Sequence, residues 1–411
     1  MKKLICCIAV IYFLGSCSRE VNSGFNYKAA DSVALDESKV VITREPWSIR
    51  QINDSVAGAI IAGQQVSLYE LRTGKNIRNF NTRNINFDSL TKTTYQQHYK
   101  ERSYHYDALT AGGLSNGNSQ MLDFIHSDKR YYIYVNTTVD VNYDKDTAQL
   151  KKYENDPQIK AIREKTGEFN LIVQEYLEYL FVTDEEFKLL QIIPLYENEL
   201  LKKDGYSPLY QRGFMVSNNA IIFSIIKDDL VTKGAETTLN SCNNCCALAK
   251  VDLDHPDQLT YLLPFENMNM KNYNLHHFFS SLFRLKVNEK NTFFSNGKGI
   301  YTVETGKSAL PESALKANEW ISDFSWNDHR ILLATYMTYK KKHPSDTDIA
   351  YGVDSIANFR IRVMGPDSGT DITEKVLAPS GLSPIDVNAE KIVWIVKDKE
   401  HYYLKSLCRE K

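Results

Sequence analysis

Phe214-Met215-Val216-Ser217-Asn218-Asn219-Ala220-Ile221-Ile222-Phe223-Ser224-Ile225-Ile226 is the stretch whose reading decides the fold. Apolar, β-favouring residues flank an Asn-Asn pair, and Asn tolerates the positive φ that a two-residue hairpin turn demands. The second half is apolar almost without interruption, which predicts a strand buried on both faces. Such a strand belongs in the middle of a stack of sheets.

Five further stretches share this form: 48–62 around Asn53-Asp54, 122–135 around Ser127-Asp128, 282–295 around Asn288-Glu289, 321–334 around Asn327-Asp328, and 385–396 around Asn388-Ala389. A second strand pair follows most of them. Residues 66–75 and 299–307 turn through Thr-Gly-Lys, and 176–182 passes to 187–193 across Thr183-Asp184-Glu185-Glu186. Residues 247–253 and 359–364 likewise run into polar turns. Each unit then holds four antiparallel strands, and six in series predict an all-β, six-bladed β-propeller of four-stranded blades. The turns recur 39 to 91 residues apart, against roughly 40–50 per blade in regular propellers. The surplus is assigned to loop insertions at 81–118 and 142–170, the second with a short helix capped by Asp156 and opened by Pro157. The sixth unit ends at 402–408 one strand short, and Val40-Val41-Ile42-Thr43 is the expected closing strand.

Ahead of the repeats, Lys2 and Lys3 precede an apolar run over 4–14, and Leu14-Gly15-Ser16-Cys17 follows. This resembles the bacterial lipobox, in which the cysteine thiol is alkylated by diacylglycerol and the preceding peptide bond is cut. The resemblance implies a signal peptide over 1–16, a lipidated flexible tether over 17–37, and a propeller over 38–411. Lipobox and repeats together resemble the TolB-like six-bladed propeller lipoproteins of the Bacteroides group. That resemblance implies a cell-envelope protein anchored through lipid on Cys17, and Ser18-Arg19-Glu20, without the dense acidic run of a surface-export signal, favours the outer membrane, with its periplasmic or surface face left open. It carries no catalytic residues.

Apolar residues make up 43% of the chain, with 25 Tyr and 18 Phe, enough for a large sheet-rich core. A net charge of −2 supplies no field to recruit nucleic acid, so none is expected as a partner. After Cys17 no run approaches eighteen apolar residues, which leaves lipid as the expected membrane attachment. Of seven cysteines, Cys242, Cys245, Cys246 and Cys408 remain after the leader and Cys17. In an exported protein they are disulfide candidates or inert thiols; a Cys-x-x-Cys without a second pair makes a poor metal site, and no metal or cofactor is expected. The adjacent His276-His277 would point to opposite faces of a strand and reads as loop polarity.

Candidate binding residues are Trp47, Trp320 and Trp326, at or near the innermost strands, where aromatics can stack on a sugar or anchor a peptide. Asp123, Asp323 and Asp386 lie on three innermost strands. Paired carboxylates in a funnel are the equipment of glycoside hydrolysis, with Asp323 and Asp386 at comparable points of their units. The chain lacks a Walker loop, a Gly-x-Ser-x-Gly elbow and a His-Glu-x-x-His helix. The expected function is therefore a lipid-anchored binding module for a protein, peptide or glycan. The alternative is a glycoside-active propeller using those acids.

Overall fold

The computed structural model describes residues 27–29, 33–34, 46–61, 63–82, 85, 90, 119–142, 164, 172–194, 206–217, 219–227, 230–233, 236–239, 246–255, 259–262, 284–287, 291–295, 297, 299–310, 312–316, 319–327, 330–339, 355–364, 369–371, 385–388, 391–398 and 401–409. The leader with Cys17, the closing strand expected at 40–43, most of both insertions, Cys242, Cys245 and His276-His277 lie outside them.

Two short strands, β1 (Tyr27–Ala29) and β2 (Val33–Ala34), come first. Blade 1 is β3 (Pro46–Asn53), β4 (Val56–Ile61), β5 (Gln65–Glu70) and β6 (Asn76–Asn81). Blade 2 is β7 (Ser119–Ser127), β8 (Arg130–Asn142), β9 (Ile172–Asp184) and β10 (Leu189–Pro194). Blade 3 takes β11 (Tyr206–Ser217) and β12 (Ala220–Lys227), then a separate ribbon of β13 (Leu230–Lys233) and β14 (Glu236–Leu239), then β15 (Cys246–Asp252) and β16 (Leu259–Tyr261). Blade 4 is β17 (Arg284–Val287), β18 (Thr292–Ser295), β19 (Ile300–Thr302) and β20 (Ser308–Leu310). Blade 5 is β21 (Glu319–Asn327), β22 (Arg330–Tyr339), β23 (Ser355–Met364) and β24 (Gly369–Asp371). Blade 6 joins β25 (Ile385–Val387), β26 (Lys391–Asp398) and β27 (His401–Arg409) to β1 and β2. The first strands touch in the order β3, β7, β11, β17, β21, β25, and β25 returns to β3. The six antiparallel sheets form a closed ring, a six-bladed propeller.

The local chemistry read from sequence operates as expected. Ser127 pairs with Arg130 across Asp128 (φ 51°) and Lys129 (φ 58°), the doubly left-handed turn whose twist suits a hairpin. Ser217 pairs with Ala220 across a turn in which Asn219 has φ 55°. In β12 the run Ile221 to Ile225 is buried throughout, because each blade's second strand is covered by both neighbouring blades.

Apolar burial lies between blades rather than within one. One cluster joins Ile60, Val66 and Leu68 of blade 1 to Phe124, Ile133 and Phe181 of blade 2. Another joins Ile49, Ala59 and Tyr69 of blade 1 to Val393, Ile395 and Leu404 of blade 6, across the seam where the ring closes. Each fully buried side chain of this kind contributes about 1.5–3 kcal/mol, so a blade separated from its neighbours would lose most of its stabilisation.

Closure differs from expectation in the residues that perform it. Tyr27, Lys28 and Ala29 pair with Arg409, Cys408 and Leu407, and Val33 and Ala34 pair with Leu404 and Tyr403. Among the described residues strand pairing therefore begins at Tyr27, inside the stretch 17–37 expected as tether and ahead of the boundary at 38. The expectation at 40–43 rests on the strand count alone, the sixth unit being one strand short. An outermost strand, however, needs mainly backbone partners for the free edge of β27, and Tyr27–Ala29 supplies them.

Candidate functional site

The first strand of each blade faces the ring axis, and four of these strands, together with Arg50 on β3, deliver charge to one place. Asp123 follows a register shift in β7 and Asp323 follows the same shift in β21; each lies four residues before its hairpin turn. Asp386 lies only two residues before the Asn388–Lys391 turn. The structural counterpart of Asp323 is thus Asp123, and Asp386 sits nearer the hairpin end of the channel. Between the acids stand three cations absent from the sequence-based candidates: Arg50 of blade 1, and Arg284 and Lys286 of blade 4.

The six side chains form one chain of alternating sign. Arg50 grips Asp123 with Nε (3.2 Å to Oδ1) and Nη2 (2.6 Å to Oδ2), and its Nη1 lies 3.8 Å from Asp386 Oδ1. Lys286 Nζ donates to Asp386 Oδ1 (2.8 Å), Asp323 Oδ2 (2.9 Å) and the Val387 carbonyl (3.1 Å), which uses all three of its protons. Arg284 Nε lies 3.8 Å from Asp323 Oδ1. Backbone and hydroxyl donors complete the carboxylates. Ser48 Oγ and the Phe124 amide donate to Asp123, the Gln51 amide to Asp386, and the Val387 amide to Asp323. Among the described residues none donates a hydrogen bond to Asp323 Oδ1.

These surroundings set the acidities. Burial opposes the charge on Asp123, but Arg50, with help from Ser48 and Arg284, outweighs it and holds the carboxyl below its usual range. Asp386 is lowered as well: burial is overcome by Lys286, Arg50 and the Gln51 amide. Asp323 goes the other way, because burial and repulsion from Asp386 exceed what Lys286, Arg284 and Arg50 return. For Arg50 and Lys286, burial favours the neutral form but the neighbouring acids win and raise both.

A cavity of 230 Å³ opens at the hairpin end of the channel, among Arg50, Lys286, Asp386, His126, Met215 and Val287. Asp123 and Asp323 are fully buried beneath it. Of the tryptophans, Trp47 is the second residue of β3, and Trp320, the second residue of β21, is half-buried. Trp326 is half-buried with one face stacked on Phe293, 4.8 Å between centroids and 6° between planes, so that face is taken by packing. Trp394 is core. Cys408 is a half-buried free thiol and Cys246 begins β15. Among the described residues no group of His, Cys, Asp or Glu could hold a metal ion, and no helix is long and apolar enough to cross a membrane.

No protein-family model matches the chain, and no curated protein matches it. Solved structures with a similar fold include the Pan2 WD40 domain of Neurospora crassa (9% identity, TM-score 0.41, covering 93% of this chain and 96% of that one). BamB from Moraxella catarrhalis is similar over 93% of this chain and 100% of its own, at 8% identity and TM-score 0.33. The computationally designed Ika8 protein gives 7% identity and TM-score 0.32, covering 90% and 98%. At these values the likeness carries no argument; the closed ring of six four-stranded sheets is what defines the class.

Proposed function

We propose that this chain is a lipid-anchored envelope propeller of the TolB-like kind, held at the outer membrane through Cys17, that works as a binding module for a partner at the hairpin end of its channel. One observation carries the reading. The three acids that could have served hydrolysis are committed to Arg50 and Lys286, and the two deepest are shut off from the cavity, whereas the mouth above them is open. Buried ion pairs of this kind specify an arrangement rather than drive a reaction. Nine residues separate Cys17 from Tyr27, the first residue of β1, which keeps the propeller close to its membrane.

A photocrosslinking residue placed at Val287, in the mouth, should form a saturable adduct in the native envelope. The same residue at Leu190, exposed on the outer strand of blade 2, should not. Equal labelling at both positions would remove the mouth as the binding end. Substitution of Cys17 by Ala should release the protein from the membrane fraction.

A glycoside-active reading draws on one specific feature, the displacement of Asp323 and Asp386 in opposite directions, as in an acid and base pair. Lys286 between them and the full burial of Asp323 weigh against it. Turnover of a glycan library that disappears in Asp386→Asn would restore it.

A further inference from the structure

We infer that the cavity at the hairpin mouth receives a carboxylate on an apolar stem, delivered as the C-terminal residue of a protein chain. The inference deepens the reading of the mouth as the binding end and rests on it. It comes from counting donors and acceptors. Each oxygen of Asp386 already has a donor: Oδ1 accepts from Lys286 and Oδ2 from the Gln51 amide. Lys286 has spent its protons. Arg50 has not. Its side edge, Nε with Nη2, is taken by Asp123, and its end edge, Nη1 with the second proton of Nη2, faces among the described residues only Asp386 Oδ1 at 3.8 Å, beyond hydrogen-bond distance. A guanidinium presents two such edges, and each matches a carboxylate bidentately.

The exposure of the six charges points the same way. Side-chain exposure is 16% for Arg50 and 21% for Lys286, against 9% for Asp386 and none for Asp123 and Asp323. A ligand entering the mouth therefore meets mainly cation, although the cluster as a whole is balanced. Ile125, Met215, Leu285 and Val287 supply an apolar wall, and Val287 is 51% exposed. The 230 Å³ of space is smaller than the roughly 300–1,000 Å³ of a typical small-molecule pocket. It suits one residue-sized group. A chain terminus ending in an aliphatic residue provides the carboxylate for Arg50 and the side chain for the wall.

The test titrates the full chain in detergent with acetyl-Ala-Ala-Ala-Leu as the free acid, the same peptide amidated, and isocaproate, followed by calorimetry. The free acid should bind, and the amide and isocaproate should each be weaker by at least about tenfold. Val287→Glu places a competing carboxylate at an exposed position and should weaken the free acid at least about tenfold without changing thermal unfolding. Equal binding of acid and amide would overturn the carboxylate, equal binding of isocaproate would overturn the protein terminus, and no binding at about 10 mM would overturn both. If the Val287 crosslink forms while all three probes fail, the binding module stands and this inference alone falls. If crosslink and probes both fail, the two fall together.

Discussion

Blades 2 and 5 carry the same local design and give it opposite electrostatic outcomes. In both, an Asp-Phe pair follows a register shift on the first strand, with Asp123-Phe124 in one and Asp323-Phe324 in the other. In both, the residue two places earlier donates its amide to a left-handed glycine of the preceding blade: Met121 to Gly63 (2.6 Å, φ 65°) and Ile321 to Gly297 (2.7 Å, φ 83°). Yet Asp123 is held below its usual acidity range and Asp323 is pushed above it. Burial opposes the charge on both acids, and Asp386 of the following blade adds repulsion on Asp323. Against this, blade 1 offers Asp123 a bidentate arginine, whereas blade 4 offers Asp323 a lysine shared with Asp386 and an arginine 3.8 Å away. A carboxylate's role in this ring is decided by its neighbours' first strands.

The largest expected effect comes from removing what both twins depend on. Deleting residues 27–34 strips β27 of its outer partner and opens the ring; cooperative thermal unfolding should be lost, since the apolar clusters lie between blades. Retention of the wild-type transition would show that each twin's environment survives without closure.

Next, Arg50→Met should destabilise by about 3–5 kcal/mol, because it leaves Asp123 as an uncompensated buried charge. Lys286→Met should cost distinctly less, since Asp323 already leans toward its neutral form and Asp386 keeps the Gln51 amide and Arg50. Urea midpoints measure both, and equal losses would break the comparison.

The acids themselves should differ in the sign of their pH dependence. Stability from Asp123 is present above its unfolded value of about 3.9 and is lost as pH falls through its depressed folded value. For Asp323 the folded value is raised, so its contribution is present below about 3.9 and is lost as pH rises through that raised value. Between pH 3 and 7 the stability difference between wild type and Asp123→Asn should therefore shrink on acidification. The corresponding difference for Asp323→Asn should move the opposite way. Parallel shifts would contradict the assigned directions.

The smallest of these effects probes how each Phe is seated. A Cβ on Gly58 would come within 2.6 Å of the Phe124 ring, so Gly58→Ala should cost about 1–3 kcal/mol by overpacking the interface of blades 1 and 2. At the matching register of blade 4 stands Ser295, which pairs with Arg284 as Gly58 pairs with Arg50. A neutral Gly58→Ala would show that the contact relaxes freely.

Much of this protein was legible in short segments. The hairpin over 214–226 has its turn where Asn218-Asn219 put it, and the doubly buried second strands follow from uninterrupted apolar runs, because strand period and turn chemistry act over a few residues. The acids Asp123, Asp323 and Asp386 could be placed on first strands for the same reason. Arg50, Arg284 and Lys286 carried a signal too, as charges alternating with apolar residues in Ser48-Ile49-Arg50 and Arg284-Leu285-Lys286, but only geometry gave it meaning. Gln51 meets Asp386 across 335 residues of chain, and no spacing rule reaches so far. The sequence by itself determined the strands, the turns and the number of blades. Ring closure alone decided which blade's cation meets which blade's acid, that residues 27–34 seal the circle, and that one guanidinium edge remains for a ligand, because those facts depend on which first strands become neighbours at the axis.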